Sequence, residues 1–214
     1  MSQRLSRRAL LNTAAAAGVW MATRPTAALE PRADNPLARL SGNENPYGPG
    51  PKARAAIAAA MSESCRYSVG SYNALLDVLA KHEDVPRDSI VLGSGSGELL
   101  HMLALEFVGR DELVSAWPTF GQIMTYAEKL GAIVRKIPLD SQLRHDLAPL
   151  SAAVTPSTGL LYLCNPNNPT GTVVDGPALR EFCRQMAGRT LVVVDEAYID
   201  LIEPGATESM VDLA

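Results

Sequence analysis

Four short segments carry residue types that could hold and activate a small anionic ligand. Gly93-Ser94-Gly95-Ser96-Gly97 lies between an apolar triplet and a helical stripe. Glycines let a backbone approach a ligand closely, and a helix start offers unpaired N–H groups to an anion such as phosphate. A strand-to-helix turn with no ligand accounts for the same residues. Trp117-Pro118-Thr119-Phe120-Gly121 supplies an aromatic that either stacks on a planar ligand or covers the core. Asn165-Pro166-Asn167-Asn168-Pro169-Thr170-Gly171 contains two Asn-Pro steps, which stiffen the chain and remove donors. That loop could present the Asn168 amide to a ligand oxygen. Asp195 ends an all-apolar run and is followed by Tyr198. A carboxylate there is costly unless paired. A protonated ring nitrogen would pair with it, and capping the next helix is the other use.

Jointly, the four describe a phosphate site, a stacking aromatic, an amide on a rigid loop and an acid for a ring nitrogen. A pyridine ring bearing a phosphate needs that set, and pyridoxal phosphate is such a ligand. A nucleotide-binding reading is weaker. The glycines do not follow G-x-G-x-x-G, no G-K-[ST] follows them, and no acid ends the Leu113–Ala116 segment. A non-catalytic phosphate-binding module stays open.

The elements that must position these residues alternate in period. Apolar runs at Ile90–Leu92, Leu113–Ala116, Ala132–Leu139, Leu160–Cys164 and Leu191–Val194 predict strands, several of them covered on both faces. Helical spacing predicts helices over Pro51–Met61, Ser71–Asp84 (Leu75, Leu76 and Leu79 on one face) and the segment holding Leu99, Leu100, Leu103 and Phe107. Three more are expected: around Ile123, Met124, Ala127 and Leu130, over Leu147–Val154, and around Leu179, Phe182, Cys183 and Met186. Alternating strands and helices with short connections imply an α/β domain with a mostly parallel sheet. Ligands of such sheets bind beyond the carboxyl ends of the strands, where all four segments fall.

The start of the chain reads as an address, with an amphipathic first helix as the other use of the same residues. Arg7-Arg8 precedes a short apolar stretch from Ala14 to Met21 and small residues at Thr26-Ala27-Ala28, the pattern of a twin-arginine export signal over 1–28. The stretch is far shorter than the ~20 residues that span a bilayer. Periplasmic localisation is expected, and cytoplasmic if the signal is unused. Removing 1–28 takes away four arginines and no acid, so the remainder is more acidic than the formal −4 of the whole chain. With no long basic run, nucleic acid and anionic membranes are poor partners. Cys65, Cys164 and Cys183 are too few and scattered for a disulfide framework or a metal knuckle.

The segments Gly-Ser-Gly-Ser-Gly-Glu-Leu-Leu, Pro-Thr-Phe, Asn-Pro-Asn-Asn-Pro-Thr-Gly and Val-Val-Asp-Glu-Ala-Tyr, in that order, resemble the class I/II aminotransferases. The histidinol-phosphate aminotransferase branch is most similar. Asn43-Glu44-Asn45-Pro46-Tyr47-Gly48 and Arg66-Tyr67 resemble that branch too, so the match runs from about Leu40 to Leu201. The resemblance implies a fold type I, three-layer α/β/α large domain, with an arm over 29–50 and the N-terminal part of the cofactor domain over 51–214. It implies that backbone N–H groups of Gly95 and Ser96 hold the phosphate of pyridoxal phosphate and that Phe120 stacks on its ring. Asn168, through a bond to Pro169 that could be cis, and Tyr198 would bond the phenolic oxygen. Asp195 would keep the ring nitrogen protonated. Tyr67 would reach the phosphate of a neighbouring subunit in a homodimer, and Asn45 and Tyr47 would lie near substrate. Trp117 departs from the small or acidic residues usual before Pro-Thr.

The implied reaction moves an amino group between an amino acid, or an amino-alcohol phosphate such as histidinol phosphate, and a 2-oxo acid. A decarboxylase of a phosphorylated amino acid shares these motifs. The family's Schiff-base lysine follows the Asp-Glu-Ala-Tyr strand by several tens of residues in a Ser-x-x-Lys context. Lys52, Lys81, Lys129 and Lys136 all precede that strand, and the sequence stops at Ala214. The expectation is a truncated chain with no catalytic lysine, unable to fold stably or transaminate alone. The later strands of the family sheet would separate the Asp195 strand from Ile90–Leu92. Their absence leaves Ile90–Leu92 without a neighbour and exposes an apolar edge at Val192–Val194.

Overall fold

A computed structural model describes residues 41–109 and 112–214, so the expected signal over 1–28 and residues 29–40 of the expected arm lie outside the described residues. The described residues divide into two compact units, 41–65 and 66–214. In the first, a turn closes from Gly48 N to Asn45 O (3.3 Å). Helix α1 (Pro51–Ala60) follows, with proline in its first turn, where no N–H is needed.

The second unit opens with α2 (Val69–Glu83), which ends at Asp84 in the left-handed conformation (φ 54°). Helix α3 (Ser96–Leu103) starts from Gly95 and continues as a π-helical turn over Ala104–Val108. Then come β1 (Glu112–Trp117), α4 (Gln122–Lys129), β2 (Ile133–Pro138), α5 (Leu147–Ala153), β3 (Thr158–Cys164), α6 (Gly176–Ala187) and β4 (Leu191–Asp195). Asp146 and Asp175 cap α5 and α6, each accepting a first-turn N–H. All strands are parallel, in the order β2-β1-β3-β4.

Alternation along the strands splits the core into two layers. Val114, Ala116, Leu161 and Leu163 pack with Leu150 of α5 and Leu179, Phe182, Cys183 and Met186 of α6. Leu113, Leu160, Tyr162 and Cys164 pack on the opposite face with Leu100 and Ala104 of the α3 segment and Ile123, Met124 and Ala127 of α4. A sheet covered on both faces explains why β3 reads as a continuous apolar run and is almost wholly buried. The expected three-layer α/β architecture is present.

Ile90–Leu92 is a correction. Ile90 has extended angles (φ −108°, ψ 126°), yet no strand forms over the triplet, and Val91 is 63% exposed. Extended backbone becomes a strand only with a ladder partner, and among the described residues the triplet has none. The same cause leaves β4 at the sheet edge: it pairs with β3 alone, and Leu191–Asp195 are only half-buried.

Candidate active site

The order β2-β1-β3-β4 places a switch point between β1 and β3. The chain leaves β1 toward α4 on one face and leaves β3 toward α6 on the other, which opens a crevice beyond the carboxyl ends of these two strands. The loop carrying Phe120 and the loop carrying Asn168 flank it. Cis bonds precede Pro118, Pro166 and Pro169 in these loops.

Asp195 lies at the end of β4, opposite Cys164 of β3. Its Oδ2 accepts from the Tyr162 hydroxyl at 2.8 Å, and its Oδ1 accepts from Ala197 N at 3.1 Å. Tyr162 is fully buried, and burial together with the Asp195 charge pushes its phenol far above the usual range, so it remains a donor. Leu191 and Val193 pack with the layer that holds Tyr162 and Phe120, so Asp195 continues that face of β4. The carboxylate is therefore held in register by a neighbouring strand, while its remaining lone pairs can meet a cation. Sequence reasoning missed Tyr162. Its one signal was a hydroxyl in the otherwise apolar run Leu160–Cys164.

Asn168 Nδ2 donates to the Tyr198 hydroxyl at 3.3 Å, which puts an amide and a phenol side by side beyond β3 and β4. Phe120 is half-buried against the layer that includes Leu100, Leu113 and Tyr162. Asn167, beside Asn168, is also part of the construction: its side chain bonds Pro118, Thr119 and Thr170 and ties the two loops across the switch point.

Gly95 has φ +84° and precedes the first turn of α3, and a side chain there would meet nothing within 4 Å. No described atom fills the space over this turn, and the first N–H groups of the helix, those of Ser96 and Gly97, precede its first internal bond, whereas Glu98 N gives to Gly95 O at 3.3 Å. The Gly95 N–H, expected beside Ser96 as a phosphate donor, is engaged within the loop instead: it gives to Gly93 O at 2.9 Å, and Ser94 N gives to Glu98 Oε2 at 2.6 Å. Packing fixes the helix start. The His101 and Tyr126 rings stack at 4.6 Å, and a Cβ on Gly97 would come within 2.8 Å of the Gln122 amide.

The donor set fits a phosphorylated pyridine. An open helix start can take an anion, Phe120 offers a ring, Asn168 and Tyr198 can address an oxygen, and a fixed carboxylate stands at the carboxyl end of β4. Tyr67 is 99% exposed. In the other unit, Tyr47 is 91% exposed and its N–H donates to Asn45 Oδ1 at 2.9 Å. Trp117, the departure from pattern, lies under the Lys136 ammonium, 5.1 Å from the ring centre, and a Cβ on Gly121 would come within 3.5 Å of its ring. Among the described residues no cluster of three metal-binding side chains occurs, and no helix is long and apolar enough to cross a membrane. A cleft lined by Val108, Glu112, Leu130 and Ile133 lies at the opposite, amino end of the strands.

Known proteins are similar to this chain in sequence and in fold. Histidinol-phosphate aminotransferase of Moorella thermoacetica is 41% identical over 165 residues, which cover 77% of this chain and 42% of that protein. Aromatic amino acid aminotransferase of Thermobifida fusca is 40% identical over 172 residues, 79% of this chain and 47% of that one. The crystal structure of histidinol-phosphate aminotransferase from Sinorhizobium meliloti in complex with pyridoxal-5'-phosphate superposes with a TM-score of 0.72 at 27% identity, covering 78% of this chain and 45% of that one. The chain thus spans about half the length of the curated relatives it matches. Residues 35–212 match the family described as aminotransferase class I and II, whose members depend on pyridoxal phosphate, and the chain belongs to that family.

Proposed function

We propose that this chain forms the cofactor-binding part of an aminotransferase that moves an amino group between an amino acid, or an amino-alcohol phosphate such as histidinol phosphate, and a 2-oxo acid. The observation that carries this reading is the Asp195 carboxylate, fixed by the buried Tyr162 hydroxyl beside the Asn168–Tyr198 pair. Bound pyridoxal phosphate supplies the electron-accepting ring that amino transfer needs. The first-turn N–H of Ser96, with the open turn at Gly95, would hold its phosphate. Phe120 would cover the ring, Asn168 and Tyr198 would donate to its phenolic oxygen, and Asp195 would hold a proton on its nitrogen.

Residues 51–214 then form the N-terminal part of a large domain and 29–50 an arm. Asn45 and Tyr47 would lie near substrate. Tyr67, fully exposed, would serve the phosphate site of a second copy in a homodimer. The 1–28 segment directs export to the periplasm by the twin-arginine route. Nucleic acid and a membrane anchor play no part.

Calorimetric titration of the chain with pyridoxal phosphate tests the reading. Saturable binding is expected, weakened about tenfold or more in Asp195→Asn, which keeps the shape and removes the charge. No binding by an unaltered chain that circular dichroism and a cooperative melt show to be folded, or equal binding by the variant, overturns it.

A further inference from the structure

We propose that His145 is a positioning residue: its Nε2–H holds the Asn167 amide that locks the loop carrying Phe120 to the loop carrying Asn168. Asn167 is 3% exposed, and its side chain uses all four hydrogen-bonding positions. Nδ2 donates to Pro118 O at 3.2 Å and to Thr170 Oγ1 at 2.8 Å. Oδ1 accepts from Thr119 Oγ1 at 2.6 Å and faces His145 Nε2 at 3.1 Å. A backbone carbonyl can only accept, so Pro118 O fixes which end of the amide is nitrogen. Oδ1 therefore faces the imidazole, and the imidazole must donate from Nε2.

That assignment leaves Nδ1 as a lone pair. His145 is 5% exposed, and among the described residues Nδ1 has no hydrogen-bond partner. A second proton would have no acceptor there, and burial pushes the imidazole below the usual histidine range. An apolar side chain of similar size would leave no orphan nitrogen, but it would deprive Asn167 Oδ1 of a donor. The orphan atom is thus the cost of the Nε2 bond.

The segment that carries His145 is itself fixed. Asp140 accepts from the backbone N–H groups of Gln142 and Arg144, each at 2.8 Å, and closes the turn before it. Thr172 Oγ1 donates to Leu143 O at 2.6 Å, a second stitch between this segment and the Asn168 loop. Three loops, following β1, β2 and β3, therefore meet at one amide. Phe120 adjoins Thr119 and Asn168 adjoins Asn167, so a shift of that amide displaces both.

The test uses the whole 214-residue chain with His145→Gln, whose amide can donate from the place of Nε2, and His145→Leu, which cannot. Hydrogen exchange is read at the amides of Asn167 and Gly171, which bond Thr172 O and Asn167 O, with α6 as the reference for global opening. His145→Leu is expected to speed loop exchange by up to about tenfold while α6 is unchanged, and His145→Gln to stay near the unaltered chain. Unchanged loop exchange in His145→Leu, or equal acceleration in both variants, overturns the proposal. Should His145→Leu not fold, the imidazole 15N spectrum of the unaltered chain decides: an Nε2–H tautomer supports the proposal and an Nδ1–H tautomer overturns it. The effect on ligand rests on the pyridoxal-phosphate reading, with affinity expected to fall about threefold to tenfold in His145→Leu. A chain that binds no pyridoxal phosphate at all defeats that reading and leaves the exchange test of His145 in force.

Discussion

The Tyr162 hydroxyl donates to Asp195 Oδ2 at 2.8 Å from a neighbouring parallel strand. Tyr162 stands opposite Val193, two residues before Asp195 on the same face of β4, so the ring reaches forward to the carboxylate at the strand end. A wholly buried ring gives the acid one orientation. Tyr162→Phe keeps the packing and removes the donor. About 1–2 kcal/mol of stability is expected to go, toward the lower end because the acid is half-buried. Pyridoxal phosphate affinity should fall about threefold to tenfold. Urea unfolding beside ligand titration checks both, and a variant that loses stability but binds normally would separate the tyrosine from the site.

Gly159 supports the opposite end of β3. A Cβ there would overlap the carbonyl oxygen of Phe107, at the end of the π-helical turn that follows α3. Backbone cannot move aside as a side-chain tip can, so Gly159→Ala is expected to cost about 3 kcal/mol or more. Gly97→Ala meets only the flexible Gln122 amide, at 2.8 Å, and should cost much less. Thermal melts of the two variants under the same conditions give the comparison; equal losses would mean the Phe107 turn yields freely.

How far these relationships were legible follows from their range in sequence. Strand β3 announced itself because five consecutive apolar residues need cover on both faces, and the Asn165–Gly171 loop because two prolines and three asparagines serve no strand or helix. The partner of Asp195 was invisible, since the β3–β4 register brings together residues 33 apart that no local pattern connects. The Asn167 hub is hidden for the same reason, as its bonds span 22 residues to His145 and 48 to Thr119. Ile90–Leu92 misled because apolar content reports a demand for cover and cannot report whether a ladder partner exists.

Acid should lower the stability of the second unit over two successive pH ranges. The folded chain resists protonation of His145, whereas the unfolded chain takes a proton near pH 6.5. Stability is therefore intact above that value and is lost as pH falls below it. The carboxylates act lower. The Arg135 hydrogen bond holds Glu112 below its ordinary range, the Arg144 backbone N–H holds Asp140 there, and the Arg180 guanidinium does so for Asp212. Their contribution persists above about pH 4 and is lost as pH falls through their folded values. His145→Gln should abolish the first stage and leave the second. Melting temperature against pH for the two chains measures this; an unaltered chain whose melting temperature does not fall between pH 7 and pH 4 would contradict it.

Binding of pyridoxal phosphate to this chain is expected to be fully reversible. Lys52 lies on α1, Lys81 on α2 and Lys129 in the last turn of α4. Lys136 is on β2, where its ammonium pairs with Glu128 at 3.0 Å and covers the Trp117 ring. None stands on the loops after β1 or β3 that flank the crevice. Attack on the cofactor aldehyde needs an amine within about 3–3.5 Å of it in the bound pose. Borohydride reduction of the chain with one equivalent of pyridoxal phosphate, followed by peptide mass spectrometry, should leave all four lysines unmodified. A stoichiometric adduct on Lys136 would place the crevice mouth nearer β2 than Asp195 allows and would move the ring away from the Tyr162–Asp195 pair.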